Sequence, residues 1–121
     1  MKKIVLDTSF ILTALSFKID LKSELSNLLD EPFSIYYVDK SREELKNKPL
    51  EKLALAILKN LGAVEIKTSQ DKNVDSLLIS HAESNPNDII ATQDKALKEK
   101  LKKRKARLIT IRQKRYLKMV N

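Results

Sequence analysis

Ile4-Val5-Leu6-Asp7-Thr8-Ser9 decides how the rest of the chain is read. An apolar run stops at a carboxylate, two hydroxyls follow, and apolar residues resume at Phe10-Ile11-Leu12. Such a run reads as a strand covered on both faces, the pattern of central parallel strands. Asp7 then lies at the strand's carboxyl end with a helix starting behind it, where open α/β sheets bind their ligands. The design returns at Ile89-Ile90-Ala91-Thr92-Gln93-Asp94, again followed by a helical run. Two acid-bearing strand ends are therefore candidates for a single metal site.

Outward from these two stretches, strand and helix patterns alternate. Lys3–Asp7 reads as a strand and Phe10–Phe17 as a short buried helix. Asp20 caps a helix with Leu21, Leu25, Leu28 and Leu29 on one face. The β-branched and aromatic run Ser34–Val38 is the second strand. Asp39 or Ser41 opens a helix that Pro49 divides into 42–47 and 50–61, since proline cannot donate a helical hydrogen bond. Leu50, Leu53, Ala54, Ile57, Leu58 and Leu61 form the expected buried stripe. Gly62, the chain's only glycine, stands where a left-handed helix stop is wanted. A strand at Ala63–Lys67, a helix at 73–84, a strand at Ile89–Thr92, a basic helix at 95–105 with Ala96, Leu97 and Leu101 inward, and a strand at Leu108–Ile111 complete the pattern. The alternation predicts one domain over residues 1–121, a three-layer α/β/α sandwich around a five-stranded parallel sheet.

Composition narrows the chemistry. With no cysteine and one histidine, disulfides and thiolate zinc sites are excluded. A single glycine excludes a glycine-rich phosphate loop, and no serine lies in a nucleophile-elbow sequence. No apolar run reaches the length of a membrane span or a signal-peptide core, so a soluble cytoplasmic protein with no membrane partner is expected. The net charge of +8 is unevenly placed. Residues 1–94 hold 12 Lys/Arg against 15 Asp/Glu, whereas the basic segment 95–121 holds 12 against Glu99 alone. That asymmetry points to a polyanion, nucleic acid before an acidic membrane.

If the first strand is central and the fourth lies beside it, Asp7 and Asp94 face each other across the crevice where the winding reverses. Glu43 or Glu44, one turn into the helix after strand two, and Asp75, in the first turn after strand three, reach the same end of the sheet. Acids in first helical turns also answer to the helix dipole alone. Asp71 and Asp88 read as structural, and His81 as a packing or surface residue. Four gathered carboxylates repel one another and raise their pKa values unless a cation intervenes. Oxygen-only ligation points to Mg²⁺ or Mn²⁺.

These motifs, taken in order, resemble the PIN-domain ribonucleases. The resemblance rests on Ile4–Ser9, on the pair Glu44-Leu45, on Asp75-Ser76-Leu77-Leu78 with Ala82, and on Ala91-Thr92-Gln93-Asp94 followed by Lys95-Ala96-Leu97. It spans residues 3–112 and makes Glu44 the better match than Glu43, although the charged Arg42-Glu43 before it departs from the pattern. It is similar to two subgroups, archaeal VapC-like toxins and endonucleases that process small-subunit ribosomal RNA, and Ile89–Leu117 with its Leu-Ile-Thr-Ile-Arg looks more like the latter. The resemblance implies a metal-dependent endoribonuclease with Asp7, Glu44, Asp75 and Asp94 as catalytic metal-binding acids. Ser9 and Thr92 would orient those carboxylates. Lys95, Lys98, Lys102, Lys103 and Arg104 would hold the RNA backbone beside the pocket. An antitoxin or ribosome-assembly partner and a homodimer are further implied.

Two other classes compete. A catalytically inactive RNA- or protein-binding module would keep the fold while Glu44 or Asp75 points away from the pocket. A phosphoacceptor receiver domain would want paired acids after strand one and a lysine after strand five. Here a single Asp7 follows the one and Arg112-Gln113 the other.

Overall fold

Six strands and six helices follow one another in a computed structural model that describes residues 1–68 and 71–120. In chain order these are β1 (Lys2–Leu6), α1 (Thr8–Ser16), α2 (Leu21–Leu29), β2 (Phe33–Val38), α3 (Asp39–Leu45), α4 (Glu51–Asn60), β3 (Val64–Ile66), α5 (Val74–Ser84), β4 (Ile89–Ala91), α6 (Lys95–Lys103), β5 (Arg107–Arg112) and β6 (Tyr116–Val120). The strands form one sheet in the order β3-β2-β1-β4-β5-β6. From β1 the chain winds outward to β2 and β3 on one side, then returns to β4 and continues to β5 on the other. The winding reverses between β1 and β4, as expected from the two acid-bearing stretches.

Side chains on each strand alternate between two cores. Ile4 and Leu6 of β1, with Ile89 and Ala91 of β4 and Ile109 of β5, face the α1, α2 and α4 layer. Val5, Ile90 and Leu108 face α5 and α6, meeting Leu77, Leu78, Leu97 and Leu101. Every residue of these two sets except Leu77 is fully buried. Complete burial of a Leu or Ile side chain contributes roughly 1.5–3 kcal/mol. This explains why continuous apolar runs stand at the sheet centre and why their ends are fixed in space.

The sheet corrects the expected five strands to six. β6 runs antiparallel to β5, with Leu108 opposite Val120 and Arg112 opposite Tyr116. The turn between them carries Gln113 and Lys114 at positive φ, closed by Arg115 N–H to the Arg112 carbonyl at 3.1 Å. Two left-handed residues in a hairpin are ordinarily signalled by Asn-Gly or a similar pair, and Gln-Lys gives no such signal. The final residue of the basic 95–121 segment lies outside the described residues.

Smaller corrections concern helix faces. Leu53 is 57% exposed, leaving Ala54 and Leu58 as the buried residues of α4. Ala96 also faces outward, while Leu97 and Leu101 are buried. Asp39 rather than Ser41 begins α3, and Pro49 lies between α3 and α4. Gly62 adopts φ +67° just past α4, as expected of a helix stop. His81 Nε2–H donates to the Asp88 carboxylate at 2.7 Å, pinning α5 to the turn before β4. No helix among the described residues is long and apolar enough to cross a membrane.

Candidate active site

Leu6 pairs with Ala91 as the last rung between β1 and β4. The ladder extends one bond further, from Asp7 N–H to the Ala91 carbonyl at 2.9 Å. Asp7 and Thr92 thus emerge side by side at the carboxyl ends of the two central strands. Each strand then turns into a helix capped by an acid. Asp7 accepts from Thr8 N–H at the start of α1, and Asp94 accepts from Leu97 N–H at the start of α6.

Asp7 is only 4% exposed, and both its oxygens are engaged. Oδ1 takes the Thr8 N–H at 2.9 Å, while Oδ2 takes Ser9 Oγ–H at 2.7 Å and Thr92 Oγ1–H at 2.6 Å. The two hydroxyls are in turn held by the opposite segment. Thr92 Oγ1 accepts Asp94 N–H at 3.1 Å, and Ser9 Oγ accepts Gln93 N–H at 3.2 Å. Gln93 itself is bolted to β5 through its carboxamide, which bonds the Ile111 backbone and the Thr110 hydroxyl. Ser9 and Thr92 therefore touch the carboxylate they were expected to orient, and they also couple the two strand ends.

Glu44 and Asp75 come from different helices to the same place. Asp7, Thr8, Ser9, Leu12, Glu44, Lys48, Asp75 and Asp94 line one open cleft of about 460 Å³. Asp75 reports the crowding electrostatically. Its carboxyl is pushed above the ordinary value by burial first and then by the charges of Asp94, Asp7 and Glu44, against a smaller opposing pull from Lys100. All four expected acids meet, whereas Glu43 turns away to pair with Lys40 at 3.0 Å.

The donor set is carboxylate and hydroxyl oxygen only, the chemistry of a hard divalent cation. Thr8 adds a buried hydroxyl with no hydrogen-bond partner among the described residues. No three of the described acids are already closed around an ion-sized point. Mg²⁺ suits such an open set because it keeps several waters and takes only one or two carboxylates directly.

The expected cations fare differently. None of Lys95, Lys98, Lys102, Lys103 and Arg104 lines the cleft. Lys95, Lys98 and Lys102 do share a helix face, and the Lys98 pKa is depressed there. Burial is the largest cause of that depression, followed by Arg112, Lys102 and Lys95, while Asp94 opposes them. Lys103 lies about 100° around the helix from Lys102. Arg104 caps the far end of α6, about 15 Å along from Asp94. There it pairs with Glu83 at 3.3 Å and donates to the Lys100 carbonyl at 2.9 Å, so it does not stand beside the pocket. Arg112 and Lys48 are the cations that sequence reading missed. Arg112 was hidden by the unread hairpin. Lys48, one turn beyond Glu44 and before Pro49, could have been found as a positive charge beside an acid motif.

Comparison with known proteins agrees with the fold. Residues 4–114 match the family described as "PIN like domain". Ribonuclease VapC4 of Methanocaldococcus jannaschii is 34% identical over a 127-residue alignment that covers 96% of this chain and 95% of the relative. Among solved structures, that of the PIN domain endonuclease Utp24 superposes with a TM-score of 0.86 over 97% of this chain and 90% of the other, at 22% identity. At that identity the likeness speaks for the fold.

Proposed function

The chain belongs to the PIN-like domain family, and from that premise we propose that it is a metal-dependent endoribonuclease hydrolysing RNA phosphodiester bonds. The observation that carries the reading is the meeting of Asp7, Glu44, Asp75 and Asp94, from four elements far apart in sequence, around one solvent-open cleft. A sheet needs no such cluster for its own stability, since four carboxylates repel. The Asp75 pKa is raised by burial first and by that repulsion second.

Asp7 and Asp94 would hold Mg²⁺ or Mn²⁺, with Glu44 and Asp75 completing its surroundings directly or through water. When bound, the ion acidifies water and offsets charge on the phosphate. Water adds to phosphorus, the P–O bond on the opposite side breaks, and the leaving oxygen takes up a proton. The chain's own contribution is orientation. Ser9 and Thr92 fix the Asp7 carboxylate, and the Thr92 hydroxyl passes that order to Asp94. Lys95, Lys98 and Lys102 with Arg112, and more peripherally Lys103, would draw in the phosphate backbone without reading sequence.

Identity to a VapC ribonuclease across nearly both lengths favours a VapC-like role, with a cognate antitoxin and cytoplasmic RNA as partners, over ribosomal-RNA processing. The test is incubation of a mixed-sequence single-stranded RNA with wild type or Asp7→Asn, in Mn²⁺ or in EDTA. Cleavage by wild type in Mn²⁺ alone supports the nuclease. Salt-sensitive binding without cleavage in either protein would replace it with the inactive binding module.

A further inference from the structure

Lys48 is the one cation among the residues lining the acid cleft. It sits in the connection between α3 and α4, and that connection is firmly built. Lys48 N–H bonds the Leu45 carbonyl at 3.1 Å, and its own carbonyl accepts Glu51 N–H at 3.0 Å. Asn47 before it holds the left-handed conformation at φ 64° and donates its N–H to the Glu51 carboxylate at 3.2 Å. Pro49 after it restricts the Lys48 backbone to extended conformations. None of these restraints uses the Lys48 side chain, which is exposed and left unneeded for the fold.

A lysine lining the same cleft as four carboxylates could close an ion pair with one of them. Lys48 closes none among the described residues, although four other pairs are formed. Its charge is thus held in the cleft but not spent on the acids. We propose that Lys48 binds a non-bridging oxygen of the phosphodiester that enters the cleft, facing the acid-held cation across it. The inference rests on the nuclease reading and adds a substrate-contacting residue to it. It divides the basic residues into two kinds. Lys48 acts at the reacting phosphate, whereas Lys95, Lys98, Lys102 and Arg112 act on the flanking backbone.

Lys48→Ala and Lys48→Arg separate this role from a structural one. Three quantities are measured: Mn²⁺ affinity without RNA, affinity for a short single-stranded RNA with Ca²⁺ replacing Mn²⁺, and the single-turnover cleavage rate in Mn²⁺. Removing a positive charge near the ion tightens Mn²⁺ binding by about threefold, an effect that mere loosening of the fold would not produce. The single-turnover rate of K48A falls by about 10²-fold, as for loss of one charge-stabilising donor at a phosphoryl group. K48R keeps the charge and stays within about tenfold of wild type. Unchanged Mn²⁺ affinity with an unchanged rate in K48A would overturn the proposal. Wild type inert toward RNA in Mn²⁺ would defeat the nuclease reading instead. Lys48 is then judged in Ca²⁺, where loss of RNA affinity in K48A upholds phosphate binding and unchanged affinity refutes it.

Discussion

The two sides of the acid cleft are built on different terms. On the strand side, Asp7 is buried, accepts three hydrogen bonds, and is tied to Asp94 through Thr92 and to β5 through Gln93. On the helix side, Glu44 is exposed and Lys48 carries no ion pair among the described residues; Asp75 is half-buried in the first turn of α5. The strand side is over-determined, so its carboxylate has a position before any ligand arrives. The helix side has charge in place but few bonds fixing it. Order on one side and latitude on the other suit a site that must hold an ion firmly and still admit and release a polymer.

Breaking the strand side should cost the most. Asp7→Asn is expected to reduce Mn²⁺-dependent RNA cleavage to the level of an EDTA control while the protein stays folded. The fold survives because Asn still accepts the Thr8 N–H, and the Ser9 and Thr92 hydroxyls can rotate to accept from its amide. Circular dichroism melting beside the cleavage assay checks both halves of that statement. Thr92→Val comes next. It removes the fully buried hydroxyl that donates to Asp7 and accepts from Asp94. Stranding these partners should destabilise the fold by about 1–3 kcal/mol. Loss of an orienting contact should lower Mn²⁺ affinity or activity by about 10–100-fold. If Thr92→Val leaves both untouched, the strand side is not the organising half.

The helix side is sharpened by pH. Asp75 has its pKa raised in the folded chain, by burial and then by its acidic neighbours, above the ordinary 3.8. Between that value and the raised one, the folded state binds more protons than the unfolded state, so metal-free stability falls as pH rises through the window. Above the window the penalty is fully present. Asp75→Asn should therefore remove the fall in melting temperature across that window and raise the melting temperature of the metal-free protein at neutral pH. Added Mn²⁺ should stabilise wild type more than the variant. A fall of the same size in Asp75→Asn would show that it does not originate at Asp75.

How much of this was legible in the sequence follows the same division. The strand side could be read because apolar runs ending in Asp7 and Asp94 encode both burial and position in consecutive residues. The Ser9–Asp7 and Thr92–Asp94 contacts span two residues and are local, whereas the Thr92–Asp7 and Ser9–Gln93 bonds follow only from β1 lying beside β4. On the helix side only the family resemblance preferred Glu44 to Glu43, and tertiary packing is what brings Glu44 into the cleft while its neighbour, about 100° around the same short helix, pairs with Lys40. Leu53 and Ala96 fit their helical patterns but face solvent, because a periodic stripe is wider than the face the sheet covers. β6 escaped because its turn uses left-handed Gln113 and Lys114 in place of the usual glycine or asparagine. Thr8 escaped for another reason. A hydroxyl without a partner becomes visible only when burial and hydrogen bonding are known together.

The smallest effects belong to the basic surface, and there the contrast is between faces of α6. Lys98 is half-buried, donates to the Thr110 hydroxyl at 3.1 Å, and is crowded by Arg112, Lys102 and Lys95. A phosphate arriving beside it relieves that repulsion. Lys95→Ala or Arg112→Ala should weaken RNA binding similarly for all sequences and lower the salt dependence by about one phosphate contact each. The cleavage rate at saturating RNA should be little changed. Arg104→Ala removes a partly exposed pair with Glu83 at the other end of the helix. Such pairs contribute about 0–1 kcal/mol, so a small stability loss is expected with RNA affinity and its salt slope unchanged. Titrations of both variants across a range of salt distinguish a track leading from the cleft along Lys95, Lys98, Lys102 and Arg112 from a diffuse positive field. Equal losses in Arg104→Ala and Lys95→Ala would mean that net charge alone attracts the RNA, and that α6 has no preferred face.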